Sequence, residues 1–219
     1  MPNRNLILIG AGGHCTAVLS QIILMGRFNI VGAVDNYKPI GSEVGAIKVI
    51  GRDEDLPNIY KNNAEYALIT VGSTEDNSKR MLLYELANEI GFRFPSIISP
   101  QAFLDGNVDI GPGTVIMPGS IVNYHSSIGI NCIINSGAII EHDCKIGNHC
   151  HIAPGVNISG SVKIGDMAFI GIGSTIIQNL TIGSAAIIGA GSVVIRNVPD
   201  NAVVVGNPAK QIRLNYEKV

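Results

Sequence analysis

The sequence predicts two unlike parts in one chain: an α/β domain over residues 1–99 and a parallel β-helix over residues 100–219. Two observations carry this. In the first part, short apolar runs closed by glycine alternate with stretches of helical periodicity, the pattern of strands and crossover helices in a parallel sheet. In the second part that pattern stops, and Ile or Val recurs at every sixth position, fifteen times without a slip, beginning at Ile110 and ending at Val194. A six-residue period is the mark of a parallel β-helix. The composition agrees. Hydrophobic residues are 46% of the chain, aromatics only 5%, and Trp is absent, so the core is built of small and branched aliphatics. Such a core suits thin, regular layers.

The α/β elements follow in order. "NLILIG" (5–10) is a short apolar run ending in glycine, a buried strand. "HCTAVLSQIILMG" (14–26) carries Val18, Leu19, Ile22 and Ile23 at helical spacing and stops at Gly26. "NIVGAVD" (29–35) and "EYALITVG" (65–72) are two more strands. "EDNSKRMLLYELANEIG" (75–91) is a second helix stopped by glycine, and "FRFPSIIS" (92–99) leads out.

Several function classes are excluded at this level. Net charge is −2 with no basic block, so neither nucleic acid nor an anionic membrane surface is indicated. The first apolar run, residues 6–9, is too short for a signal peptide or a membrane span. The four cysteines, at 15, 132, 144 and 150, lack the framework of a small secreted domain. A reducing cytoplasm is the expected compartment.

In the coil, three hexapeptides close one triangular turn, with the periodic aliphatic on the prism axis. Two residues earlier sits something compact: Ser120, Cys132, Ala138, Cys144, Ala168, Ser174, Ala186. That is an inward position. It decides how to read "AIIEHDCKIGNHCHI" (138–152), which gathers three His, two Cys, one Asp and one Glu. Cys132, Cys144 and Cys150 fall inward as small core residues, so a tetrahedral zinc site is not expected. His149 falls at a corner. His142 lies at a corner too, projecting outward, with Asp143 beside it. His151 precedes axial Ile152 and points out from a flat face; the expectation is that it and His142 border one groove. Two solvated histidines remain the alternative. These residue types suit proton transfer. A neutral imidazole accepts a proton near pH 7, an adjacent carboxylate fixes its tautomer, and a backbone N–H stabilises an oxyanion.

"INSGAIIEHDCKIGNHCHIAPG" (134–155) closely resembles the corresponding segment of bacterial nucleotide-sugar acetyltransferases of the PglD/NeuD-like type, hexapeptide-repeat enzymes. There an Asn, a His followed by an acid, and a second His nine residues later occupy these places; the acid is often Glu and here is Asp143. The tail "VPDNAVVVGNPAK" (198–210) is similar to that family's exit from the coil. The resemblance implies a left-handed β-helix, a homotrimer, and acetyl-CoA in the groove between neighbouring prisms. No metal is expected, because the cysteines fall at inward positions. The resemblance assigns His142 as general base and Asp143 as its orienter. Gly160, His151, Ile172 and Ala190 would contact acetyl-CoA, His151 at the thioester end.

"ILIGAGGHCTAV" (7–18) puts a glycine-rich turn between strand and helix, where backbone N–H groups are able to cradle phosphates. A dinucleotide fingerprint would need a third glycine where Cys15 stands. A purely structural turn is one reading. The same family carries a similar Gly-Gly-His turn in a small Rossmann-like domain that holds the nucleotide sugar. That resemblance implies Gly13, His14, Asp35, Asn36 and Gly72 as substrate contacts.

The expected activity is therefore N-acetylation, from acetyl-CoA, of the 4-amino group of a UDP-, dTDP- or GDP-linked 4-amino-4,6-dideoxy sugar for a surface glycan. O-acetylation of sialic acid or a related sugar is the rival enzyme reading. A nucleotide-sugar-binding structural module is the rival outside catalysis; it would have no need of a His-Asp pair at a corner.

Overall fold

A computed structural model describes residues 4–62, 64–73 and 75–215. It has the two expected parts: an α/β unit and a left-handed parallel β-helix.

The α/β unit is a five-stranded sheet, β3-β4-β2-β1-β5. Its strands are β1 (Asn5–Ile9), β2 (Asn29–Val34), β3 (Glu43–Val44), β4 (Ile47–Gly51) and β5 (Tyr66–Ile69). Its helices are α1 (Gly13–Met25), α2 (Leu56–Asn62) and α3 (Ser78–Ile90). β1 pairs in parallel with both β2 and β5. The chain thus leaves β1 toward opposite sides, which makes the carboxyl edge between β1 and β5 a topological switch point, where open α/β sheets bind ligands. Both glycine stops hold: Gly26 (φ 63°) and Gly91 (φ 107°) are left-handed caps whose N–H groups close the last helical turns. Gly10 (φ 104°) lies so close to Val71 that an added Cβ would fall within 2.8 Å of its backbone nitrogen. The β3–β4 hairpin and α2 were not anticipated. β3 is only two residues long, and α2 opens with "LPN", too short a stretch to show a period.

The β-helix has three flat faces. The first carries Phe103–Leu104, Ile121–Val122, Ile139–Ile140, Asn157–Ile158, Thr175–Ile176 and Val193–Val194. The second runs from Asp109–Ile110 through Lys145–Ile146 to Thr181–Ile182. The third begins at Ile97–Ile98 and passes through Val115–Ile116, Ile133–Ile134, His151–Ile152, Phe169–Ile170 and Ile187–Ile188. It ends with Ala202–Val205 and an antiparallel strand, Lys210–Leu214. Partners sit eighteen residues apart, one coil, as in Ile121 opposite Ile139.

The axial aliphatics are buried from Ile116 to Val194. Each buried side chain contributes roughly 1.5–3 kcal/mol against exposure, set against the chain entropy lost on ordering. Ile98 and Leu104 pack on the same core, so the axial series starts before Ile110. The compact inward residues are buried, and those with a polar atom use it. Ser120 Oγ donates to Asn135 O (2.9 Å), Ser126 Oγ to Glu141 O (2.7 Å), and Cys132 Sγ to Gly147 O (3.1 Å). They satisfy corner carbonyls that no strand partner reaches. Corners turn through left-handed residues, including His125, Asn131, Asp143 and His149. Asn and Asp tolerate that region best among residues with a side chain.

The α/β unit packs on the third face and the corner between the second and third faces. Val115 and Met117 join the core under α1. Gln21 accepts from Ser99 Oγ (2.9 Å), and Asn77 Nδ2 donates to Met167 O (3.1 Å) and Ala168 O (3.2 Å). Arg80, fully buried, spans the junction. Its Nη1 donates to Ile69 O and Val71 O, its Nη2 to Asn131 Oδ1 (2.9 Å) and, at longer range, to Asn131 O (3.3 Å). Asn131 Nδ2 in turn donates to Arg80 O (3.1 Å).

Candidate active site

The predicted residues form two polar clusters on different sides of the molecule. The first is at the corner between the first and second faces. Asp143 turns the chain at φ 59°, and its Oδ2 lies 2.8 Å from His142 Nδ1. A carboxylate accepts, so Nδ1 carries a proton, and in the neutral ring the lone pair is on Nε2. The ring lies over Gly160, one coil on: a Cβ there would fall 2.6 Å from His142 Cε1 and 2.7 Å from Nε2. Only glycine leaves room for the imidazole. Both partners are half-exposed to solvent.

Two neighbours were missed. His125 Nδ1 stands 3.7 Å from Asp143 Oδ1, on the other side of the carboxylate, and the Tyr124 ring stacks on His125 (centroids 3.9 Å, 21°). The signal was available: the eighteen-residue coil puts Tyr124 and His125 directly below His142 and Asp143.

Along the first face, next to this corner, runs an open groove of ≈ 360 Å³ lined by Ile139, Glu141, Asn157, Ser159, Ile177 and Gln178 among others. At the other edge of the first face is the corner between the third and first faces. There Ile172 (56% exposed) and Ala190 project, one coil apart, with Gly191 N–H donating to Ile172 O (2.8 Å).

The second cluster lies at the carboxyl edge of the α/β sheet and its junction with the third face. Gly12 and Gly13 open onto free space, with no atom within 4 Å of an added Cβ. Gly72 packs on His14, whose Cβ would lie 3.2 Å from a side chain there. Burial pushes the His14 imidazole down to about 3, with help from the Arg80 and His151 charges, and its Nε2 has no hydrogen-bond partner among the described residues. Asp35 accepts from three backbone N–H groups, those of Ala11 (2.8 Å), Tyr37 (2.8 Å) and Lys38 (3.1 Å). Burial alone would raise its carboxyl; these bonds and Lys79 outweigh it and hold it below the usual range. Asn36 is tied to Asp53 at both ends, donating to Oδ2 (2.6 Å) and accepting from N–H (3.0 Å).

His151 belongs to this second cluster. Within one chain His151 does not share a groove with His142, for a geometric reason. In a three-sided prism the corner of His142 lies opposite the third face, and His151 is on the third face. It does point outward, but the α/β unit covers it to 7% exposure. Its Nδ1 is 2.9 Å from Ser73 O, and its Nε2 is 3.2 Å from Asn135 Nδ2. The carbonyl only accepts and the amide nitrogen only donates, so the proton is on Nδ1. Burial, then the Arg80 charge, lowers the ring to about 4 despite the Ser73 bond. The ring is neutral near pH 7.

The cysteines are buried and unpaired, and among the described residues no set of three or more His, Cys, Asp or Glu side chains converges on a point. No helix among those residues is long and apolar enough to cross a membrane.

Family models match both parts. The PglD N-terminal domain covers residues 5–86, and the bacterial transferase hexapeptide (six repeats) covers 125–160 and 161–196. No curated protein sequence matches the chain. Solved structures do. A histidine-to-asparagine variant of perosamine N-acetyltransferase from Caulobacter crescentus, in complex with CoA and GDP-perosamine, is 33% identical, with TM-score 0.91, over 95% of this chain and 97% of that one. The chain belongs to the PglD-like hexapeptide-repeat sugar acetyltransferases. The acetyltransferase domain of PglB from Neisseria gonorrhoeae, in complex with acetyl coenzyme A, is 34% identical to this acetyltransferase, with TM-score 0.89, over 96% and 100% of the two chains. WeeI from Acinetobacter baumannii is 26% identical, with TM-score 0.84. The acetyltransferase thus has its two polar clusters on a scaffold shared from end to end with these structures.

Proposed function

We propose that the chain transfers acetyl from acetyl-CoA to the 4-amino group of a nucleotide-linked 4-amino-4,6-dideoxy sugar, for surface-glycan biosynthesis. The observation that carries this reading is the His142 imidazole, held by Asp143 through Nδ1 with Nε2 free above Gly160. The GDP-perosamine and CoA bound by the Caulobacter enzyme support the substrate class.

In the mechanism the sugar amine attacks the thioester carbonyl carbon. His142 Nε2 takes the proton that the nitrogen sheds. Asp143 fixes the tautomer and stabilises the imidazolium. The tetrahedral intermediate expels the CoA thiolate, which recovers a proton from His142 and leaves as the thiol. Gly160 serves by its lack of a side chain. Its N–H donates to no group among the described residues and is free for the oxyanion. Ile172 and Ala190 fit the role of apolar contacts along acetyl-CoA. Gly13, His14, Asp35, Asn36 and Gly72 surround the nucleotide.

We read the working unit as a homotrimer. The nucleotide edge belongs to a unit packed on the third face, while His142 stands at the opposite corner. One chain does not bring them together, so the sugar held by one subunit would be acetylated by His142 of another copy. The open first-face groove, with Phe103 and Tyr124 exposed beside it, suits cover by that copy.

The test is thiol release from acetyl-CoA against a panel of UDP-, dTDP- and GDP-linked 4-amino-4,6-dideoxy sugars, with free sialic acid included. Turnover of one amino sugar, cut about 10²–10⁴-fold in His142→Ala, is expected. Turnover of sialic acid alone, or of none, would overturn the reading.

A further inference from the structure

We propose that Lys79 and Tyr37 form a two-part clamp for the nucleoside diphosphate: Lys79 pairs with the diphosphate, and the Tyr37 ring, released from Lys79, stacks on the base. This rests on the nucleotide-sugar reading above and adds residues to it.

The observations come from the recess at the switch point, lined by Gly10, Asp35, Asn36, Tyr37, Asp53 and Lys79 among others. Among the described residues lining it, Lys79 is the one basic side chain. Two carboxylates line the same small recess, so a diphosphate bound across its rim needs a cation close by. Arg80, next in sequence, is not available: its guanidinium is buried against the carbonyls of Ile69, Val71 and Asn131. Lys79 Nζ, by contrast, sits 4.6 Å above the centre of the Tyr37 ring. A cation over an exposed ring is held only weakly. A charge-assisted bond to phosphate is stronger, so the ammonium exchanges the ring for the anion without a large cost. Tyr37 is 84% exposed, which is unusual for an aromatic ring and leaves one flat face open. Base–aromatic stacking accepts any nucleobase. Tyr37 therefore supplies affinity, and Lys79 distinguishes a diphosphate from an uncharged nucleoside.

The probes are UDP, dTDP and GDP, each against its own nucleoside, titrated calorimetrically into the full-length protein without acetyl-CoA. The best of the three diphosphates should bind at least about tenfold more tightly than its nucleoside, on the scale of 1.4 kcal/mol per tenfold. Lys79→Gln should erase most of that difference, and raising salt should shrink it in the wild type. Lys79→Arg should restore it, and Tyr37→Ala should weaken diphosphate and nucleoside by the same factor. Lys79→Gln binding the diphosphate as the wild type does, or no diphosphate binding at all, would overturn the proposal. A protein that binds diphosphate through Lys79 yet transfers no acetyl group would keep this inference and remove the enzymatic one.

Discussion

The imidazole of His142 rests over Gly160, the residue one coil above it, at a distance that leaves no space for a methyl group. The position of this ring, the proposed base, therefore depends on a residue eighteen positions away that has no functional group. Gly160→Ala is expected to push the ring off its position and to lower kcat while leaving the fold intact. A circular-dichroism melt of the variant checks the second half. If Gly160→Ala turns over substrate as fast as wild type, the ring is not held where catalysis requires it.

His142→Ala or His142→Asn should cut kcat by about 10²–10⁴, the usual worth of a general base. Asp143→Asn should fall between that and wild type, because the amide still supplies an oxygen to Nδ1–H but no charge. The mass of the assembly should not move, since neither side chain is part of the axial core. Steady-state kinetics with the true amino sugar and light scattering on the same samples decide it.

The separation of the two clusters leads to a subunit-mixing test. His142→Ala and Gly13→Trp each inactivate a different half of the proposed shared site. The bulky residue at Gly13 meets open space, so it blocks ligand and not folding. When the two inactive proteins are unfolded together and refolded, random assortment in a symmetric ring should restore about a quarter of the sites. Recovery of no activity, with mixed assemblies demonstrated by mass, would return the whole site to a single chain.

Acid should loosen the junction. His14 and His151 have imidazoles lowered to about 3 and about 4, against 6.5 when unfolded. The unfolded chain then binds more protons between those values. The stabilisation is complete above about pH 6.5 and is lost as pH falls toward 4, by several kcal/mol in order of magnitude. Melting temperature should rise with pH across that window, and His151→Gln should flatten the rise. An unchanged slope in the variant would show that the ring titrates freely in the folded protein.

Arg80→Met should destabilise by at least about 3 kcal/mol, because it strands buried carbonyl oxygens. Arg80→Lys should recover only part, since an ammonium does not span the same fork. Denaturant midpoints measure both.

Much of this was legible in the sequence. The axial series and the small inward residues were readable because a strict period makes each position predict the next. For the same reason Asp143 could be set beside His142. The period itself did not say which face His151 shares with which corner; that needed three faces counted around the prism. Nor did it show the cover over His151, because Ser73 is 78 residues away in another unit and has no signature. Nothing in the sequence around Arg80 sets it apart from the other charges of its helix. Its burial follows from the corner that α3 packs against, which no local pattern records. The β3–β4 hairpin was lost to its brevity.

The antiparallel strand Lys210–Leu214 has a consequence of another kind. A parallel coil is a ladder of identical rungs at about 4.8 Å, the spacing of an amyloid fibril, and its last rung offers unpaired backbone to any extended chain. Here the third face closes on a strand of reversed direction whose residues Lys210, Gln211 and Ile212 are exposed, two of them polar. At the other end, α1 lies beside Ile97–Ile98, with Gln21 bonded to Ser99. On that face the ladder therefore has a defined length, and a crowded cell full of such prisms is kept from growing them end to end.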